Sequence, residues 1–300
     1  MDDRRHQVRD KVERETRVTV RRLTAFPAMR IAIAACVAVC LASLPATAQT
    51  AGKPVKPLVG QPGKDAIWVP TPNALIELML NLAKVTPQDR VVDLGSGDGR
   101  AVIAAAKRGA TARGIEFDEN LVALSRASAA KEGVADKATF ERADMFAVDF
   151  SDATVVVLFL LPDLNIKLRP SILNMKPGTR VVSNTFEMGG WLPDKEETLQ
   201  AECDFFFCKA LLWIVPAKID GEWTIETEGT AGKLSLKQQF QTFEGSIDRG
   251  GTLTPVKAGR LNGNELTFTT GGATYTGTVN GDKIEGSTGS GAVWTAKRGG

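Results

Sequence analysis

The 300-residue chain contains a single histidine, His6, and a single tyrosine, Tyr275. His6 lies upstream of a segment that reads as an export signal, so a histidine general base is excluded from the processed chain. There are four cysteines. Cys36 and Cys40 fall inside that signal, while Cys203 and Cys208 lie five apart in an apolar run that reads as a strand. An odd spacing sends strand side chains to opposite faces, so two buried thiols that do not pair with each other are expected. Without histidine or a usable cysteine pair, a resident metal is not expected. A long hydrophobic run is also missing. The run nearest that length, Ile31 to Leu44, has 14 residues, whereas a spanning helix needs roughly 20.

That run follows Arg30 and precedes Pro45 and the small-x-small triplet Ala46-Thr47-Ala48. It reads as a secretory signal cut after Ala48, leaving no stable membrane span. The charged residues 1–28 are long for a signal n-region, which leaves two starts open: Met29, or Met1 with an extended n-region. The chain is periplasmic or secreted if the signal is used, and cytoplasmic otherwise. Cleavage removes 9 of 37 basic and 5 of 35 acidic residues, leaving 28 and 30, a net charge of −2. No basic stripe remains to follow a phosphate backbone, so nucleic acid is not an expected partner.

After the signal, residues 49–66 are rich in proline and glycine and read as a mobile linker. ALIELMLNLAKV, after Pro72, has helical apolar spacing. Strand and helix signals then alternate: RVVDL, GRAVIAAAKRG, TARGIEF, DENLVALSRASAAKEG, KATFER, TVVVLFLL and TRVVSNTF. This rhythm, with near-continuous apolar strands, predicts an α/β Rossmann-like fold whose parallel sheet is covered on both faces. ETLQAECDFFF and KALLWIVPAKI are two consecutive strands that would close the sheet as an antiparallel hairpin. Residues 221–300 change character, with short alternating strands separated by Asn-Gly and Gly-Gly turns. They predict a small all-β meander, a barrel or half-barrel, whose glycines punctuate turns. The expected domains are therefore 67–217 and 221–300.

VVDLGSGDGR, Val91 to Arg100, carries the chemistry. Its glycines, Gly95, Gly97 and Gly99, alternate as G-x-G-x-G, whereas a dinucleotide fingerprint is G-x-G-x-x-G. Asp93, two positions before Gly95, would crowd a pyrophosphate but suits a ligand with an ammonium group and no phosphates, such as S-adenosyl-L-methionine. Glu116, ending the second strand, can accept from both ribose hydroxyls. Asp144, after the third strand, can accept from the adenine amino group. All three acids follow strand carboxyl ends, where open α/β sheets bind ligands. Ser96 lies inside the same loop. The alternative is three solvated surface carboxylates beside a structural turn.

VVDLGSGDGR, GIEFDENLVALSR and RADMF resemble the class I S-adenosylmethionine-dependent methyltransferases. With Trp68-Val69-Pro70-Thr71-Pro72 and RVVSNTFEMGGWLPD, the likeness narrows to one branch. That branch contains the small protein-lysine methyltransferases that modify mitochondrial inner-membrane proteins, and their bacterial relatives. The likeness covers residues 67–216. It implies S-adenosyl-L-methionine as cofactor, a protein substrate with an accessible lysine, and acceptor-contacting groups after the fourth strand. Asp163 would then orient the amine or help remove its proton, and Asn165 would hydrogen-bond it. The alternative is that Asp163 is a helix N-cap carboxylate. Thr71 and Trp68 are candidates for covering the methionine end, and Trp191 for walling the acceptor channel, with packing as the alternative for both tryptophans. The Asn-Pro-Pro-Tyr signature of amide and adenine N-methyltransferases is absent. A rival from another class is a secreted, non-catalytic scaffold or S-adenosyl-ligand-binding protein that uses its β domain for contacts. A reporter fused after residue 66 and started at Met1 or at Met29 tests the export reading. Reporter activity outside the cytosol is the expected outcome, and retention from both starts would overturn it.

Overall fold

The computed structural model describes residues 57–200 and 207–299. The expected export signal and Cys203 lie outside them. Helix α1 (Asn73–Leu82) leads into alternating strands and helices: β1 (Arg90–Leu94), α2 (Arg100–Lys107), β2 (Thr111–Glu116), α3 (Glu119–Lys131) and β3 (Ala138–Arg142). β4 (Val155–Leu158), α4 (Pro162–Leu173), β5 (Arg180–Asn184), β6 (Lys195–Thr198) and β7 (Lys209–Ile214) complete the sheet domain. The strand order is β3-β2-β1-β4-β5-β7-β6.

Strand residues alternate between two buried faces. Val91, Val155, Val157 and Val182 join one core with α1 and α2. Val92, Leu94, Val156, Leu158 and Val181 join the other with Leu168 and Ile172 of α4. A strand covered on both sides has no polar face, which is why these segments read as continuous apolar runs. β1, β2, β3, β4 and β5 pair in parallel, whereas β7 is antiparallel to both β5 and β6. The expected hairpin is present. Because β7 runs backwards, its first residues meet the carboxyl ends of β4 and β5 at one edge. Among the described residues of ETLQAECDFFF, the strand stops at Thr198.

The cysteine expectation is corrected. Cys208 is disulfide-bonded, so it is not a buried thiol. The other three cysteines all lie outside the described residues. Odd spacing excludes pairing only within a continuous strand, and Cys208 precedes β7 rather than lying inside it. Among the described residues, no helix is long and apolar enough to cross a membrane.

β8 (Gly221–Thr227), β9 (Thr230–Gln239), β10 (Thr242–Arg249), β11 (Thr252–Asn262), β12 (Glu265–Thr270), β13 (Ala273–Asn280), β14 (Lys283–Thr288) and β15 (Val293–Arg298) close into an antiparallel barrel. An eight-stranded barrel is just wide enough for its side chains to fill it. Here Trp223, Phe243, Phe268, Tyr275 and Trp294 are all buried inside. Phe268 lies 5.0 Å from Tyr275 and 5.7 Å from Trp294, ring centre to ring centre. Turn glycines behave as expected, for example Gly250-Gly251 with φ of 63° and 89°. Gly277 and Gly286 do something else: a Cβ on either would come within 2.8 Å of the Trp294 indole. These two strand glycines leave room for a core tryptophan.

One hairpin departs from glycine chemistry. Between β9 and β10 the turn is Phe240-Gln241, with Phe240 at φ 55°. A left-handed aromatic residue is an outlier unless its surroundings hold it there. Those surroundings belong to the sheet domain. The Phe240 ring stacks on Trp191 at 6.0 Å, beneath the Arg169 guanidinium at 5.3 Å. The Gln241 side-chain amide donates to the Leu192 carbonyl at 2.8 Å, and Arg260 pairs with Asp194 at 2.7 Å. The barrel therefore grips the loop between β5 and β6 at three points. Phe240→Ala is expected to cost at least the roughly 0.5–1.5 kcal/mol of an aromatic pair. Chemical denaturation would measure that loss, and hydrogen exchange should show faster opening of residues 188–194.

Candidate active site

The G-x-G-x-G spacing follows from the backbone. Gly95, Gly97 and Gly99 all have left-handed φ values, of 80°, 55° and 79°. At Gly97 space is limiting as well, because a Cβ would lie 2.5 Å from the Trp68 indole nitrogen. The loop is pinned to β2: the Gly95 and Ser96 amides donate to the Ile115 carbonyl at 2.8 and 3.0 Å. The Gly97 amide donates to Glu116 Oε2 at 2.9 Å.

Asp93, Glu116 and Asp144 line one pocket at the carboxyl edge of the sheet, together with Gly95, Ser96, Gly97 and Thr71. Gly99 instead begins α2, where a Cβ would strike Ser125 and Phe140. It supports the loop from behind and does not touch the cavity. Glu116 Oε1 also accepts the Phe117 and Asp118 amides, at 2.7 and 2.9 Å. Much of its accepting capacity thus holds the loop, leaving about one of its roughly four lone-pair sites for a ligand.

Asp93 is buried. Burial first, then the charges of Glu116 and Asp98, push its carboxyl up to about 8. Asp98 itself is taken by Arg100, which grips it through Nε at 2.9 Å and Nη2 at 2.6 Å. Arg100 also donates to the Thr71 carbonyl at 2.9 Å, tying the Trp68–Pro72 segment to the glycine loop. A buried acid with two acidic neighbours is a receptor for a cation. The residues around Asp93 thus suit a ligand that carries an ammonium group.

The second half of the expected linker is a wall of this pocket. Gly60 donates to the Trp68 carbonyl at 2.8 Å and Trp68 to that of Gln61 at 3.0 Å, forming a small hairpin. At its tip Lys64 pairs with Asp144 at 2.5 Å and lies 5.1 Å from the Phe117 ring centre. The Lys64 ammonium holds the Asp144 carboxyl below the usual carboxylate range, with help from the Phe146 amide. Proline and glycine composition gave no hint of this fold, because the pairing depends on the sheet domain behind it. Lys64 and Arg100 were not legible as site residues in the sequence.

The two expected acceptor-side residues sit elsewhere. Asp163 is exposed in the first turn of α4 and does not line the pocket. It is not the N-cap either, since that position is Leu161. Asn165 is fully buried, and its side-chain amide donates to the carbonyls of Phe186 and Glu187 at 3.2 and 3.3 Å. Its role is to brace the chain after β5. Trp191 is fully buried against Trp213 and Phe240, so it packs.

A model of the ANTKMT methyltransferase domain matches residues 93–195. A protein-lysine N-methyltransferase from Saccharolobus islandicus is 43% identical over 138 residues, covering 45% of this chain and 84% of that enzyme. The adenine nucleotide translocase lysine N-methyltransferase of Mus musculus is 37% identical over 120 residues, 39% of this chain. The chain spans 52% of that mouse enzyme's length. A crystal structure described as an RNA methyltransferase from Salinibacter ruber, in complex with S-adenosyl-L-homocysteine, is 45% identical. It covers 50% of this chain and 96% of its own, with a TM-score of 0.47. The matched residues 93–195 end before the barrel begins.

The raised Asp93 carboxyl predicts that ligand binding depends on pH. The folded apoprotein keeps the Asp93 proton up to about pH 8, while an unfolded chain loses it near 3.8. Stability from this group therefore falls as pH rises from about 4 to about 8. A ligand ammonium favours the ionised carboxylate, so binding below pH 8 releases a proton. Affinity for S-adenosyl-L-homocysteine should rise between pH 6 and 8, by up to about tenfold per unit. Asp93→Asn should bind weakly with no such slope, yet be more stable at pH 7, by on the order of a few kcal/mol. Calorimetric titration and thermal melting check both, and a pH-independent wild-type affinity would sink the assignment.

Proposed function

The chain belongs to the family of S-adenosyl-L-methionine-dependent methyltransferases that includes the Saccharolobus protein-lysine N-methyltransferase, and we propose that it N-methylates lysine side chains of a protein. The observation that carries the proposal is 43% identity across 84% of that relative. The non-catalytic scaffold reading has no support from these similarities. Bound S-adenosyl-L-methionine supplies a methyl group activated by a sulfonium. In this reading Asp93 holds the ligand's ammonium, Glu116 its ribose, and Asp144 its adenine amino group once Lys64 yields.

A free lysine has a pKa of about 10.4, so the acceptor must be brought to its neutral form before its nitrogen can attack. Among the described residues there is no histidine, and Asp163 faces solvent. Catalysis then rests on positioning and desolvation, with the amine proton passing to water. The net charge of −2 on residues 49–300 favours a protein acceptor over RNA, whose phosphates such a surface does not attract. The export reading of residues 31–48 belongs to this proposal and would place the acceptor outside the cytosol.

Incubating the protein with a deuterated methyl donor, a whole-protein extract and total RNA tests the reading. Mass spectrometry should find the heavy methyl group on lysine Nζ. Label found only in RNA, or only on other side chains, would overturn it.

A further inference from the structure

Where the parallel strands end, the chain leaving β5 makes an unusual turn. Thr185, a β-branched residue, has φ 61°, and the Phe186 amide donates to the Asn184 carbonyl at 2.6 Å. This tight reversal is disfavoured for threonine and persists only where neighbours enforce it. Several do. The Thr185 amide donates to the Lys209 carbonyl at 2.8 Å. The Phe186 carbonyl accepts from Ser183 Oγ at 2.8 Å and from Asn165. Arg169 donates to the Met188 carbonyl at 2.7 Å.

The turn delivers Phe186 into a group of three half-buried rings. Phe186 lies 6.0 Å from Phe159 and 5.5 Å from Phe207, and Phe159 lies 5.4 Å from Phe207. They come from the ends of β4 and β5 and the start of antiparallel β7, which the topology brings to one edge. Phe159 also lines the cofactor pocket, so the aromatic surface continues directly from it.

Next to the turn is a polar group without a role so far. Asn184 is fully buried, its Nδ2 donates to Thr71 Oγ1 at 3.4 Å, and its Oδ1 has no partner. Thr71 lines the cofactor pocket. Burying an unpaired amide oxygen is unfavourable, and such groups in native proteins call for a ligand or another explanation.

We propose that this corner is the acceptor subsite: Asn184 Oδ1 accepts an N–H of the incoming lysine amine, and Phe159, Phe186 and Phe207 line the channel that receives its aliphatic stem. This rests on the lysine reading above. A neutral amide oxygen orients the nitrogen lone pair without stabilising the ammonium as a carboxylate would, and the aromatic wall removes water. Both favour the neutral amine. Its lone pair forms the new N–C bond as the C–S bond breaks with its electrons on sulfur, and the surplus proton leaves to water. Asn165 and Arg169 are positioning residues that hold the turn.

Poly-L-lysine serves as the probe acceptor, with the full-length protein and the variants Asn184→Asp, Phe186→Leu and Phe207→Leu. Affinity for S-adenosyl-L-homocysteine should stay within about twofold of wild type in the two leucine variants, while KM for poly-L-lysine rises about tenfold. Asn184→Asp should move the acid limb of the pH profile of kcat/KM upward by about one unit or more, because a carboxylate retains the ammonium. Phe207→Leu keeps the test decisive if the strained turn cannot tolerate Phe186→Leu. Wild-type KM and an unchanged pH profile in the variants, with lysine still methylated by wild type, would overturn the subsite alone. Wild-type protein that methylates no lysine in poly-L-lysine or in a protein extract would overturn the lysine reading and the subsite with it.

Discussion

A carboxyl group buried without a cation is the constraint around which the sheet domain is built. Asp93 is the next-to-last residue of β1, between strands covered on both sides, with Glu116 and Asp98 as its charged neighbours. Left ionised, it would cost a sizeable part of a domain's ordinary stability, so it holds its proton to about pH 8. Everything near it limits that cost without removing it. Arg100 neutralises Asp98, and backbone amides spread the Glu116 charge. The apolar strands on either side supply the burial energy. Pairing Asp93 with a permanent side-chain cation would have been more stable and would have closed the site to its ligand.

The same edge of the sheet explains why the site is legible in the sequence and why parts of it are not. Asp93, Glu116 and Asp144 are readable because each lies at or just past the carboxyl end of a strand, and parallel strands all end on one side. The alternating glycines are readable because left-handed turns leave few residue choices. Asp163 and Asn165 show where this logic stops. Their position after β4 is right, but the helix turns Asp163 to solvent and Asn165 inward, and a spacing of two in the sequence does not reveal that rotation. Asn184 is hidden for the opposite reason. It looks like an ordinary residue within the strand TRVVSNTF, and only the folded chain brings Thr71 and the first residues of β7 beside it.

The barrel shows a similar split. Its strands and most of its turns are plain from alternation and glycine pairs. Its closure requires knowing that β8 and β15 meet, which no local pattern encodes. The turn Phe240-Gln241 breaks the glycine rule because it answers to the sheet domain rather than to its own hairpin. A residue that is costly locally and favourable across an interface is the kind that single-segment reasoning misses. The barrel, which lies beyond the matched residues 93–195, is therefore physically joined to the sheet domain.

That junction bears on what the barrel contributes. Its interior is filled by five aromatic rings, so a ligand inside is not its purpose. Three of its contacts fall on residues 191–194, a few positions after the strained turn at Thr185. A left-handed threonine at the mouth of an active site needs restraint on both flanks. Asn165 and Ser183 supply it from one flank, and Arg169, over the Phe240 ring, supplies it from the other. Arg169 touches both the Met188 carbonyl and the barrel's aromatic turn, so the barrel's grip reaches the acceptor edge through one guanidinium. The pocket at Asp93 is thus lined by the sheet domain and the segment that leads into it, with no barrel residue, whereas the turn at Thr185 is braced from both domains.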